Sequence, residues 1–361
     1  MNRKHILSIL SVLAIVATVH AQTRKYSNEF LNIGVGARAL GMSNSYITSV
    51  DDVTAGYWNP AGLNRIGNQY QVGLMHSEYF AGIAKYDYAG FATRLDSTSV
   101  LGVSVIRFGV DDIPNTTELI DANGNVDYNR ITTFSAVDWA FLISYAKKAK
   151  IPGLNLGANV KIIRRKVGDF AGSWGFGLDA AAMYDYKKWK FAVMARDVTS
   201  TFNAWSYNLS DETKQIFLQT GNEIPQNGVE ITLPKLILGT ARKFDFTKKI
   251  SLLTEVNLDA TFDGKRNVLI KSKVASIDPH IGLEAGYMNM IFLRAGVGNY
   301  QSYTDATGKA VHTFQPNIGV GVRIKSVYID YALTDIGDQS VALYSNVFSL
   351  KIDINKRKPK A

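Results

Sequence analysis

The chain has 361 residues, with 40 basic and 31 acidic side chains, 46% apolar residue types and no cysteine. The lack of cysteine excludes disulfide staples, Cys-ligated zinc, thiol nucleophiles and iron–sulfur chemistry, and the apolar content excludes general disorder. Mean hydropathy is −0.03, a value shared by soluble proteins and by transmembrane β-barrels, where only alternate residues meet lipid.

Residues 1–21 read as a secretory signal peptide. Arg3 and Lys4 give a positive start, Ile6 to Val19 is an apolar run, and Val19-His20-Ala21 is a small-x-small cleavage site. The run is too short for a membrane anchor. No Cys follows the cleavage site, so the chain is not a lipoprotein. Removing Arg3 and Lys4 leaves 38 basic and 31 acidic residues, a mature charge of +7. No later stretch is apolar enough for a membrane helix, so a spanning fold would have to be a barrel.

Residues 22–69 do not alternate. Small residues at 34, 36, 37, 39 and 41 allow close backbone approach. Asn59-Pro60 favours a turn, with Asn59 held extended by the following ring. This compact segment is expected to be a hatch folded into the lumen of a barrel.

Past residue 70 the chain breaks into fourteen segments of period-two alternation, at roughly 70–80, 84–95, 99–109, 136–147, 153–166, 173–187, 189–199, 234–244, 250–261, 278–288, 290–298, 313–324, 326–336 and 342–354. In 153–166, Leu154, Leu156, Ala158, Val160 and Ile162 oppose Asn155, Gly157, Asn159, Lys161 and Arg165. The polar face carries Lys161, Asp179, Glu255, Arg294, Arg323 and Asp330 in mid-segment. A dry interior would not accept so many charges, whereas a hydrated lumen would. Aromatic residues gather near segment ends, as a membrane girdle requires. A soluble sandwich or propeller is the alternative, but no blade-like repeat is visible.

Every second connection is short, and the others include the long ones: 110–135, 200–233, 262–277 and 299–312. That is the layout of an outer-membrane barrel, with periplasmic turns, extracellular loops and both termini periplasmic. The fold expected is therefore all-β: a fourteen-stranded antiparallel transmembrane barrel over 70–354, with an N-terminal lumen hatch and a solvated basic tail at 355–361. Loops 110–135 and 200–233 are candidate contact surfaces, because long loops are uncommon without function. In the second, Phe202, Trp205, Tyr207, Phe217 and Leu218 suit a partner-binding surface and equally a self-packed lid.

The stretch from Phe30 to Leu63 resembles the PorV/PorQ family of Bacteroidota outer-membrane proteins. It carries Gly36-Ala37-Arg38-Ala39-Leu40-Gly41-Met42, then Asp51-Asp52, then Trp58-Asn59-Pro60-Ala61. The resemblance implies a fatty-acid-transporter (FadL) fold with an Asn-Pro-Ala plug motif. It also implies a role in type IX secretion, binding cargo or translocon partners. The sequence departs from the family pattern at Ser43-Asn44-Ser45 and at Gly56. The rival expectation is a FadL-like channel for a hydrophobic small molecule, gated by the hatch.

Catalysis finds little support. Three of the five His survive signal cleavage, and their spacing matches no metal site. Gly34-x-Gly36 followed by Gly41 lacks the dinucleotide spacing. Asp121 to Asp127 imitates a calcium loop, but Gly sits at the fourth place and no Glu closes it. Asp51-Asp52 is expected to cap or to pair with Arg38. No cofactor or metal is expected. The positive charge is spread along strands and turns, which argues against nucleic acid. Outer-membrane lipid is the expected surrounding.

Overall fold

A computed structural model describes residues 27–119, 125–304, 307–336 and 344–355 of the chain. The signal peptide, residues 22–26, the core of the calcium-like loop and the basic tail past Asn355 lie outside the described residues.

The strands, in chain order, are β1 Tyr70–Tyr79, β2 Ala84–Arg94, β3 Ser99–Asn115, β4 Thr132–Lys148, β5 Leu154–Val167, β6 Ala171–Tyr186, β7 Trp189–Arg196, β8 Thr201–Tyr207, β9 Gly228–Thr232, β10 Lys235–Asp245, β11 Ile250–Thr261, β12 Ile270–Lys271, β13 Ser276–Tyr287, β14 Ile291–Thr304, β15 Ala310–Ile324, β16 Val327–Thr334 and β17 Ser345–Ile354. Fourteen of them form a closed antiparallel barrel. β1 pairs with β2 and also with β17, from Tyr70 opposite Ile354 to Glu78 opposite Asn346. Closure leaves no unpaired edge in the wall, the requirement for backbone surrounded by lipid.

Side-chain alternation sorts the two solvents. On β5, Leu156, Val160 and Ile162 are exposed on the outer face, while Asn159 and Lys161 are buried on the inner face. The aromatic residues Tyr145, Trp174, Tyr184, Tyr186, Trp189 and Tyr287 point outward. One rim carries the short turns 95–98, 149–153, 187–188, 246–249, 288–290 and 325–326. The other carries the long connections, together with two tight turns at 80–83 and 168–170.

All fourteen alternating segments coincide with wall strands. The corrections fall above the wall. β3 continues to Asn115 and β4 begins at Thr132, so the expected loop 110–135 shortens to 116–131. The 200–233 stretch is not an open loop. It holds β8, a helix Asp211–Gln219 and β9, with β8 pairing back onto β6. Ser210 caps the helix, its Oγ accepting from Thr213 N at 3.1 Å.

Residues 27–69 lie inside the lumen. They contain two one-turn helices, α1 Ala37–Leu40 and α2 Ala55–Trp58, and a 3-10 turn Pro60–Arg65. Val35, Met42, Ile47, Val50, Val53, Ala61 and Leu63 are essentially inaccessible. This segment packs a hydrophobic core together with inward apolar side chains of the wall, among them Met75, Tyr86, Ile106, Ile163, Met183 and Met194.

Candidate functional site

The hatch is held by groups that complete its backbone. Asn59 is fully buried; its Oδ1 accepts from Ala61 N at 3.1 Å and its Nδ2 donates to Ile47 O at 3.2 Å. Pro60 opens the 3-10 turn, where a missing N–H costs nothing. Trp58 Nε1 donates to Val35 O at 2.8 Å. Gly41 lies against Gly319 of β15, where a Cβ would come within 3.0 Å of the wall backbone. Gly157 of β5 admits Pro60-Ala61; a Cβ there would lie 2.5 Å from the Pro60 carbonyl carbon. The motif residues Gly36, Ala37, Arg38, Gly41, Met42, Trp58, Asn59, Pro60 and Ala61 thus share one packed unit.

The wall answers with polar side chains. Glu255 of β11 accepts from Thr48 N at 2.7 Å and Ser49 N at 3.0 Å. Asn159 of β5 donates to Gly56 O at 2.8 Å, Gln71 of β1 accepts from Val53 N at 2.6 Å, and Ser349 of β17 accepts from Ala37 N at 2.7 Å. Arg196 of β7 donates to Tyr57 O at 3.2 Å and stacks 4.4 Å over the Tyr57 ring. The hatch is thus fastened around the whole circumference.

Among the described residues, two of the charge clusters take in lumen charges singled out in the sequence. Arg38 grips Glu284 through two bonds of 2.7 and 2.8 Å and reaches Asp51 at 2.7 Å. Glu284 also takes Arg294 at 2.7 Å, and Arg294 reaches Asp330 at 2.7 Å. Alongside, Asp52 pairs with Lys351 at 3.0 Å and caps Thr54 N at 2.9 Å. Burial pushes the Asp52 carboxyl up, but the Lys351 ammonium, the Thr54 hydroxyl and the Arg38 guanidinium outweigh it and hold it at about 2. The second cluster is Lys161 between Asp179, at 2.8 Å, and Asp197. Arg323 joins neither cluster; it donates to Lys325 O at 3.3 Å and covers Tyr328.

The second cluster sits at an interruption in the wall. β7 pairs with β10 as far as Arg196 opposite Lys235, and β8 pairs with β9 from Thr201 opposite Thr232. Between them, Asp197 and Ser200 adopt left-handed backbone conformations, and Asp197 N donates to Asp179 Oδ1 at 2.9 Å. The Thr201 hydroxyl donates to Asp197, so charged and polar groups fill the gap.

The hatch divides the lumen into two chambers. Toward the long connections lies a cavity of about 780 Å³. Phe30, Ile33, Leu40, Ile47, Tyr57 and Trp58 of the hatch face it, with Tyr79, Phe80, Phe108 and Ile237 on the wall. Its polar lining includes Arg196, Lys235, Asp259 and His280. Toward the short turns lies a more polar cavity of about 510 Å³, bordered by Arg38, Arg65, Lys190, Arg323, Asp51 and Lys351. The first chamber was not legible in the sequence, because its apolar lining comes from hatch residues without alternation.

The partner-surface residues do not share a face. Phe202 is exposed on the outward side of β8, opposite Phe176 of β6. Trp205 and Tyr207 lie on the other side and stack; Trp205 donates to Glu230 at 2.7 Å and is covered by Arg165. Phe217 is half-buried and Leu218 exposed on the 211–219 helix. Among the described residues no cluster of His and carboxylates could hold a metal.

No family model and no curated protein matches the chain. Solved structures do. The chain is similar to the CymD monoaromatic hydrocarbon channel, at 12% identity over 90% of this chain and 99% of that one, with a TM-score of 0.56. It is similar to the Ralstonia pickettii toluene transporter TbuX, at 14% identity over 89% and 99%, with a TM-score of 0.52. It is also similar to a Pseudomonas aeruginosa FadL homologue, at 12% identity over 88% and 98%, with a TM-score of 0.51. At these identities the likeness concerns the fold, and the chain has the FadL-like fold of an outer-membrane barrel.

Proposed function

We propose that this protein is a non-catalytic outer-membrane channel that takes up a small hydrophobic molecule, with the hatch as its gate. The observation that carries the reading is the 780 Å³ chamber, whose floor is the apolar top of the hatch. Proteins of this fold that are described as hydrocarbon channels or toluene transporters lend it support. In this reading the long connections face outside, and the short turns and both termini face the periplasm. The filled break at residues 197–200, where β7 gives way to β8, is a second exit from the lumen, closed in this state by Lys161, Asp179 and Asp197.

The test is uptake of naphthalene into proteoliposomes, followed by its fluorescence. Gln315→Trp places an indole in the chamber wall and should slow uptake at least several-fold. Equal uptake by both proteins would refute the chamber as the route.

The secretion-partner reading rests on the Phe30–Leu63 resemblance and on exposed Leu218 beside half-buried Phe217. It predicts that removing 211–219 abolishes co-purification with secretion components while naphthalene uptake persists. The channel reading predicts that uptake depends on the chamber substitution and that this deletion, outside the chamber lining, matters less.

A further inference from the structure

The short-turn rim carries a repeated feature that neither hatch nor chamber uses. Three hairpins that are neighbours around the wall each carry a Lys-Lys pair on this rim. They are Lys147-Lys148 at the end of β4, leading into the turn to β5, Lys187-Lys188 between β6 and β7, and Lys248-Lys249 between β10 and β11. The strands run in the order β4, β5, β6, β7, β10, β11 around the wall, so the pairs make one continuous arc. All six side chains are exposed. Nearby acids are engaged elsewhere: Asp185 with Arg65 at 2.6 Å, and Asp245 with Lys243 at 3.6 Å.

We propose that this arc binds the anionic phosphate headgroups of the membrane leaflet that meets the short-turn rim. Position selects lipid over an acidic soluble partner. Each turn follows directly on outward-facing aromatic or aliphatic residues: Tyr145 for the first, Tyr186 and Trp189 for the second, Phe246 and Ile250 for the third. These side chains end the apolar belt, so the ammonium groups beside them stand at headgroup depth. Lys187 Nζ lies 5.2 Å over the Tyr186 ring, and Arg242 covers Trp189 at 5.1 Å, the posture of long cationic chains reaching along an aromatic edge to the interface. Charge complementarity then names the occupant: several lysines within one Debye length of the surface attract anionic lipid cumulatively.

The inference is independent of what the barrel transports. Its test uses the full-length protein in detergent, incubated with phosphatidylglycerol or with phosphatidylcholine of the same acyl chains. Retained lipid is counted by native mass spectrometry. The expected result is roughly 10-fold or greater preference for phosphatidylglycerol, falling as salt rises. Replacing the six lysines by Gln should remove the preference while phosphatidylcholine retention stays unchanged. Should that variant fail to fold, the wild-type salt series and the double variant Lys187→Gln/Lys188→Gln, with a partial loss, carry the test. Equal retention of the two lipids by the wild-type protein overturns the proposal, as does a preference that survives the lysine replacements or high salt. Binding of an acidic soluble protein without lipid preference also overturns it.

Discussion

Replacing Asn59 by Ala would remove two hydrogen bonds at once and leave their partners inside the barrel. Ala61 N and Ile47 O would each lose the Asn59 side chain, and all three residues are at most 1% exposed. An orphaned buried donor or acceptor costs about 1–3 kcal/mol, so the two together destabilise the hatch by ~2–6 kcal/mol. The wall is untouched, so the loss appears as local opening rather than barrel unfolding. Hydrogen exchange read over residues 59–66 of the detergent-folded protein should accelerate between ~30-fold and ~20,000-fold, at a factor of ten per ~1.4 kcal/mol. Strand amides should keep their protection. Asn59→Ser retains an acceptor for Ala61 N and should show about half the effect in free energy. Unchanged hatch exchange in Asn59→Ala would refute the claim that this side chain fastens the plug.

Other substitutions separate the clusters. Arg38→Met strips Glu284 of one of its two guanidinium partners and leaves Asp51 unpaired; it should cost ~3 kcal/mol and raise open-channel noise in planar bilayers. Arg323→Met touches neither cluster and should stay within ~0.5 kcal/mol by thermal unfolding in detergent. Lys161→Met leaves two carboxylates facing each other in the wall gap, and a cysteine at residue 199 should then react with maleimide where it did not before. Because the Asp52 carboxyl is held at about 2, below its ordinary value near 3.8, its contribution is complete above about pH 4 and is lost as pH falls towards 2. Hatch resistance to an acid-active protease should weaken across that window, by at most ~2.5 kcal/mol. In Asp52→Asn that component should be flat.

The wall was legible because one physical rule governs it. A strand between lipid and lumen must alternate, and the fourteen segments read this way are wall strands. Legibility failed where water lies on both faces. Beyond Gly109, β3 runs through Asp111 and Asp112 without an apolar face, so its last residues read as loop. β8 does alternate, but its outward Phe202 faces away from its inward Trp205, and the two were read together as one surface. The lumen charges were visible as charges, yet only their positions in space reveal their work. Lys161 pairs with Asp179, and Arg294 with Asp330. Glu255 instead serves the hatch backbone. Arg38 met Asp51 as the sequence suggested, while Asp52 found Lys351, 299 residues away.

The circumferential fastening of the hatch also bears on how the chain is built. β1 and β17 close the ring through Tyr70 and Ile354, at opposite ends of the barrel sequence, so closure is the most non-local event in folding. The plug precedes every strand in the chain and is gripped by β1, β5, β7, β11, β13 and β17. The economical order is for the wall to wrap around it as a mandrel, each new strand finding its polar partner already presented. A rearranged gene with residues 27–69 moved behind β17 would encode the same contacts, but the segment would then have to enter a ring that had already shut. Such a chain should insert as a closed, hollow barrel with its plug left outside.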